Sequence, residues 1–472
     1  EMPIAAAIGA GRRQLLSQLL AEALVLAVVG AALSLPIALL TLAGVAFFLP
    51  EGPIEALRPE LNPAALLFTV AACLLTVVLF GLAPAIRTSR PGVRLVAGGP
   101  QSLAALGAMR FRSMLATAQI AFSVVLLVVA GLLAQSLANI ARLNLGIDVE
   151  SLATFGYAPQ RNIYDPDRAA AVYARVEEAL AAQPGVISVA STAIPLLTGS
   201  GFERTVEVGD VPVDDPQARG NFVSPHLFAT TGVPLLAGRD FADTDTATSP
   251  QVAIVNESFV RKFNLGAGAV GRRFRVFGED GDREIVGVVA DAVDSGGGVK
   301  SRVSAQFYEP LRQFDPRLVF PRFFYVRTAT SPDALMRAIP RVVAGVDANN
   351  AVDGLRTMEQ QFASDIYADR LVTALSASFA ALAALLTALG LYGLLSYAVT
   401  QRTRELGLRL ALGAAPARLR ALVMRHVGVM VAAGCAVGVL AAIGVVRVVE
   451  ALLFGVSSYD PLAFVAAVVV LC

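Results

Sequence analysis

Tryptophan is absent from this chain, histidine occurs twice, cysteine three times, and lysine only as Lys262 and Lys300. Each shortage excludes something. His226 and His426 are too far apart for any metal-ligand spacing. Cys73, Cys435 and Cys472 all lie in apolar runs, so they are no disulfide framework and read as small buried hydrophobes. No Gly-Lys-Ser/Thr follows a spaced glycine: in the glycine-rich stretch Ser295 to Ser301, Val299 precedes Lys300, so that stretch reads as a surface turn. The chain is therefore not expected to hydrolyse ATP by itself. His226 has no Ser–Asp or Cys partner in a catalytic pattern. Asp240, Asp243 and Asp245 lack the glycine and terminal Glu of a calcium loop. No enzyme, metal or cofactor is expected.

What the chain has in quantity is apolar residues, 56% of 472. They gather in runs at 23–49, 64–86, 113–138, 372–400 and 427–449, each with roughly 20 residues or more and almost no charge. At about 1.5 Å per residue such a run covers a bilayer core of ~30 Å. A sixth run opens at Pro461 and stops at Cys472. Glu1 falls inside a repeat and the last run is short, so the chain is expected to be a piece of a longer protein.

The repeat is direct. Glu1 aligns with Glu405, Gly9-Ala10 with Gly413-Ala414, Gly30 with Gly434, and Asn62-Pro63 with Asp460-Pro461. One membrane unit thus occurs twice around a large polar insert, a habit of transporters. The segments 1–20 and 404–422 are both basic and amphipathic. Ile4, Ile8, Leu15 and Leu19 form the apolar side of one, and Leu406, Leu410, Leu419 and Leu422 that of the other. Each is interrupted at Gly-Ala and then enters a span, as expected of a helix lying at a membrane surface. Topology-fixing charge would explain the arginines alone; the shared Gly-Ala break adds a docking role.

Charge orients the spans. Arg87, Arg90, Arg94, Arg110 and Arg112 fill 87–112 without an acid. Residues 401–425 hold Arg402, Arg404, Arg409, Arg418, Arg420 and Arg425 against Glu405. Arginine-rich loops stay in the cytoplasm, which places 50–62, the insert and 450–460 on the other side. Residues 140–370 carry 29 of the 37 acids against 23 bases, an acidic balance that argues against nucleic acid as a partner. Arg447 and Glu450 sit at the outer end of a run, where both can snorkel.

The insert alternates strand and helix patterns. Ser151–Ala158, a helix over Pro166–Ala182 with Val172, Val176, Ala179 and Leu180 inward, and Val186–Ile194 form a βαβ unit. Strands are expected at Thr205–Val208, Gly220–Val223, Val252–Val255, Arg273–Phe277, Glu284–Val289 and Ala305–Tyr308, between turn residues. A second strand–helix–strand follows at Phe323–Arg327, Ser331–Val346 and Gly354–Met358. Two lobes are expected, one of about 139–200 with 321–370 and an inserted one of about 201–320. Ser364–Ala374 should run straight into the next span. The fold class is an α-helical integral membrane protein with a large α/β extracytoplasmic domain.

Arg404-Glu405-Leu406-Gly407-Leu408-Arg409-Leu410-Ala411-Leu412-Gly413-Ala414 resembles the signature of MacB/FtsX-type ABC transporter permeases. The insert resembles the MacB periplasmic core domain in Gln183-Pro184-Gly185-Val186, Leu235–Phe241, Val255-Asn256-Glu257 and Glu284–Val289. The duplication resembles the long two-unit permeases. That resemblance implies coupling helices at 1–22 and 401–425, two spans of unit one in 23–86 and a basic linker at 87–112. It implies spans at 113–138, 371–400, 426–449 and a truncated one at 461–472, around a core domain at 139–370. It further implies a separate cytoplasmic ABC ATPase as partner, the lipid bilayer of a bacterial inner membrane, and an envelope partner outside. The docking residues it implies are Gly9, Arg12, Arg13, Arg404, Glu405, Arg409 and Gly413. Unit one departs from the pattern: Pro3 replaces Gly407, and Ala5 replaces Arg409. A membrane-anchored sensor or scaffold without ATP coupling is the alternative.

Overall fold

Long apolar runs without helix breakers become helices here, and alternating or short buried runs become strands. The computed structural model describes residues 12–48, 63–78, 103–159, 164, 166–198, 201–209, 214–293, 303–313, 320–412, 415–457 and 459–471. In chain order the elements are α1 (Arg12–Phe48), α2 (Pro63–Val77), α3 (Leu103–Ala141), β1 (Leu152–Tyr157), α4 (Pro166–Ala181), β2 (Val186–Thr192), β3 (Phe202–Glu207), β4 (Gln217–Val223), α5 (Leu227–Thr231), β5 (Leu235–Gly238), β6 (Val252–Asn256), α6 (Glu257–Lys262), β7 (Arg273–Val276), β8 (Asp282–Val289), β9 (Gln306–Pro310), β10 (Arg322–Thr328), α7 (Asp333–Val346), β11 (Asp353–Thr357), α8 (Met358–Asp365), α9 (Tyr367–Ala411), α10 (Pro416–Val449) and α11 (Pro461–Leu471). They divide into two compact units: Glu1–Asn139 with Asp369–Cys472, and Ile140–Ala368.

In the first unit, four helical stretches are long and apolar enough to cross a membrane: Ala23–Gly44, Ser113–Ala141, Tyr367–Tyr397 and Val427–Val449. α2 and α11 are shorter apolar helices, and the expected span at 64–86 continues beyond Val78 outside the described residues. The buried stripe of α3 is Ile120, Val124, Val128 and Leu132, one residue per turn. It packs against Cys435, Ala442 and Val446 of α10 and Ala467 of α11. α9 runs 45 residues without interruption, or about 67 Å at 1.5 Å per residue. That is about twice a bilayer core of ~30 Å, so the helix must project well past one membrane face.

The second unit builds one lobe from its two ends. β1 and β2 run parallel but are not neighbours: β10 lies between them, antiparallel to both. The expected simple βαβ unit is therefore a split one. β11 adds on the far side of β1, giving the order β11-β1-β10-β2. The two strand–helix–strand units interleave, an arrangement of ferredoxin-like type. α4 and α7 cover one face, where Val172, Tyr173, Val176, Leu180, Leu335, Ile339 and Val343 meet Phe155, Phe324 and Val326.

The other lobe is a ring. β4 pairs β3, and pairing then passes through β7, β8, β6 and β9 back to β4. Closure removes the free strand edges of an open sheet. Its interior takes Val206, Ala218, Val255, Phe274, Ile285 and Phe307 from all six strands, with Phe259 of α6. Gly220 faces the Phe307 ring so closely that a Cβ there would lie 2.6 Å from it. A single pair, Thr192 with Val223, joins this ring to the other sheet. Asn221 reinforces the junction by bonding both the N–H and the carbonyl of Ile194, each at 3.1 Å.

Two local expectations are corrected. β5 carries no burial alternation, since all four of its residues are exposed, so pattern reading passed it over. The run from Ser364 into the span is not continuous: α8 ends at Asp365 and Ile366 (φ −93°, ψ 6°) separates it from α9. Ile366 itself is 1% exposed.

Beyond α7 a buried carboxylate holds its connection to β11. Asp347 accepts hydrogen bonds from the Tyr157 hydroxyl, from Tyr164 at 2.7 Å, from Asn350 Nδ2 at 2.6 Å and from the Asn349 N–H at 3.1 Å. Burial alone would raise its pKa, but these donors outweigh it and hold the group at about 2. Burial, then Asp347, pushes the Tyr157 phenol up. A carboxylate depressed on folding stabilises the fold above its unfolded pKa of about 3.9 and loses that contribution as pH falls toward 2. Replacement Asp347→Ala should therefore remove about 2 kcal/mol of stability at neutral pH. Thermal melts should then show the difference between variant and parent shrinking below about pH 4 and vanishing only as pH falls through about 2.

Candidate coupling site

The segment 401–425 is not one short helix. Residues 401–411 are the end of α9, Leu412 follows as a turn, and α10 starts at Pro416. Proline at the first helical position needs no N–H partner and presets φ. Ala415 is extended before it (φ −62°, ψ 130°), and its carbonyl accepts from Arg418 at 3.0 Å. Arg409, Arg418, Arg420 and Arg425 are exposed, as are Leu408, Leu410 and Leu412 at 66%, 48% and 81%. Basic and apolar side chains thus alternate on an uncovered helix end. Arg12 and Arg13 open α1; Gly9 and Gly413 lie outside the described residues, as do the side chains of Arg12, Arg13, Arg404 and Glu405.

Behind these stubs the helices are joined by contacts that sequence reading overlooked. Gly434 and Gly438 of α10 stand four apart, the small-xxx-small spacing of close membrane packing. A Cβ at Gly434 would lie 2.8 Å from Ile120 Cβ, and one at Gly438 would lie 2.7 Å from Val124 Cβ. α3 and α10 therefore touch backbone to side chain along this seam. Between α3 and α9, the buried hydroxyls of Ser123 and Thr387 lie 2.7 Å apart, and Ser123 also donates to the Ala383 carbonyl at 3.1 Å. In an apolar medium an unpaired hydroxyl is costly, so this pair fixes the rotation of α3 against α9. The glycine spacing was visible in the sequence; Ser123 and Thr387 were not, because nothing local says they meet.

The remaining motifs resolve as structure. Asp245 pairs with Arg239 at 2.8 Å and Asp243 with Arg312 at 3.0 Å, so the acidic loop is an ion-paired turn. Burial acts to raise the Asp245 pKa, but Arg239 and the Ala242 N–H bring it below the ordinary value. Among the described residues no three metal-ligating side chains gather. His226 is exposed and opens α5 in a left-handed conformation (φ 66°). Arg447, exposed, donates to the Tyr459 hydroxyl at 3.1 Å. The stretch 295–301 lies outside the described residues.

A bundle of apolar helices carrying a large two-lobed insert defines a membrane protein with an extracytoplasmic α/β domain. The MacB-like periplasmic core domain model matches residues 113–342. The FtsX-like permease C-terminal model matches twice, at 1–93 and 377–472. The chain belongs to the MacB/FtsX-type permeases of ABC transporters. Among solved structures it resembles the periplasmic region of MacB from Actinobacillus actinomycetemcomitans at 13% identity, covering 47% of this chain and 95% of that one with a TM-score of 0.33. It also resembles the extracellular domain of the noncanonic ABC-type transporter YknZ from Gram-positive bacteria at 12% identity, covering 43% and 100% with a TM-score of 0.30. No curated protein matches.

The glycine seam gives a direct test. Gly438→Leu should force α3 and α10 apart and lower the melting temperature of the detergent-solubilised protein by several degrees, whereas Gly444→Leu, with nothing within 4 Å of its Cβ position, should leave it nearly unchanged. Overpacking costs on the order of 1–3 kcal/mol.

Proposed function

We propose that this chain is a non-catalytic permease subunit that takes the stroke of a separate cytoplasmic ATPase and converts it into movement of its extracytoplasmic domain. The observation that carries the reading is α9: one unbroken 45-residue helix that ends in the exposed basic stub at 404–411. A continuous helix transmits displacement along its axis because every turn is hydrogen-bonded to the next. The ATPase docks on the stubs at 404–412 and 416–425, with Arg404, Glu405, Arg409 and Gly413 as contacts. Gly9, Arg12 and Arg13 form the corresponding surface of unit one, weakened by Pro3 and Ala5. The arginine bias of 87–112 and 401–425 favours a cytoplasmic position for both, in a bacterial inner membrane. The acidic insert then faces an envelope partner or a transported molecule outside. A sensor or scaffold would also carry such an insert, but would have no use for paired basic stubs continuous with the spans.

Co-purification of the full-length permease with its ATPase tests this. Arg409→Glu and Glu405→Lys should each lower permease-stimulated ATP hydrolysis on the order of tenfold while leaving the isolated ATPase unaffected. Unchanged binding and hydrolysis in both variants would remove the docking assignment. Labelling of a cysteine placed at Asp215 should occur from outside sealed cells; labelling only from the cytosol would reverse the orientation.

A further inference from the structure

The end of α3 that leads into the second unit carries three polar side chains within two turns: Gln135, Ser136 and Asn139. All three reach the loop between α10 and α11. Gln135 Nε2 donates to Asp460 Oδ2 at 2.7 Å, Ser136 Oγ accepts from the Phe454 N–H at 2.9 Å, and Asn139 Nδ2 donates to the Gly455 carbonyl at 2.9 Å. Asp460 would be an ordinary helix cap if only its Oδ1 were used, since that atom accepts from the Leu462 N–H at 2.9 Å at the head of α11. Its second oxygen, however, is taken by a residue 325 positions away. Ser136 is 3% exposed, so its hydroxyl has little access to water and depends on the loop for a partner. Leu453 and Val456 pack beside this set, on the cluster built from Leu132, Val446 and Ala467.

We propose that Gln135, Ser136 and Asn139 form a latch that binds the α10–α11 hairpin to α3, making Gln135 and Asp460 positioning residues for coupling. The inference rests on the functional reading above. α10 begins in the basic stub at Pro416 and ends beside the latch, whereas α3 ends at Ala141, where the chain enters the second unit. There the chain is held firmly: Asp148 pairs with Arg327 at 2.5 Å and its N–H donates to the Thr231 carbonyl at 2.9 Å. Displacement of α10 reaches α3 through the latch. The glycine seam sets how close the two helices lie. The latch sets their rotation and axial register, because three directional bonds cannot be kept if α3 turns or slides.

Two measurements on the full-length permease with its ATPase decide this. Hydrogen exchange over residues 450–462 should be several-fold faster in Gln135→Leu, which unties Asp460 Oδ2 from α3, and in Asp460→Ala, which also removes the acceptor of the Leu462 N–H, than in the parent. Asp460→Asn keeps the cap through its amide oxygen and, with the Gln135 amide turned over, donates its Nδ2 to Gln135 Oε1, and should exchange as the parent does. Permease-stimulated hydrolysis should fall about fivefold in Gln135→Leu and Asp460→Ala, with the unstimulated rate unchanged, and recover in Asp460→Asn. Parent-like exchange in Gln135→Leu would overturn the latch. Faster exchange with full stimulation would overturn its role in coupling. A parent permease that fails to stimulate its ATPase would count against the functional reading instead, with exchange still deciding whether the latch exists.

Discussion

The packing of α3, α10 and α11 in the first unit depends on the close approach of α3 to α10. Gly434 and Gly438 leave room for Ile120 and Val124, and the stripe Ile120, Val124, Val128, Leu132 then fills the space down to Ala467. In a lipid environment no hydrophobic drive pulls these helices together, because lipid tails are as apolar as leucine. Dispersion contacts at short range and a few hydrogen bonds must do it. That is why the joint uses glycine at the crossing, Ser123 with Thr387 on one flank, and the Gln135–Asp460 set near the end.

The second unit solves a different problem with the other available tools. It sits in water, so burial of Phe259, Phe274 and Phe307 inside a closed ring, and of Phe155 and Phe324 under two helices, supplies the stabilisation. Two of the polar groups left inside are held on several sides: Asp347 by four donors, Asn221 by both backbone groups of Ile194. The two lobes share one bridge of strand pairing and a set of side-chain bonds at the same place. The load path from β2 to β4 is therefore short, which suits a domain whose proposed work is to be moved as a body.

Much of this was legible in the chain. Spans, repeat and most strands follow from local pattern: α4 begins at Pro166 where expected, and β2, β6 and β8 lie on the β-branched runs that predicted them. The misses share a cause. β5 is exposed throughout, Ile366 is a buried residue between two helices, and β10 enters between β1 and β2 from more than a hundred residues away. Of the residues proposed to act in coupling, Arg409 could be marked from its charge and position. Ser123, Gln135 and Asn139 look like incidental polar residues in an apolar run.

Sequence by itself determined the class: apolar runs of bilayer length, arginines between them, an acidic α/β insert and a duplicated unit admit few other proteins. Those properties are local, and transfer free energy and strand or helix periodicity act on each segment where it stands. Tertiary structure alone decided the split sheet order, the ring closure, the glycine seam and the three-point contact on α3. Each of these depends on which distant segments become neighbours, and a hydrogen bond or a steric fit between residues hundreds of positions apart leaves no mark on either one's surroundings in the chain.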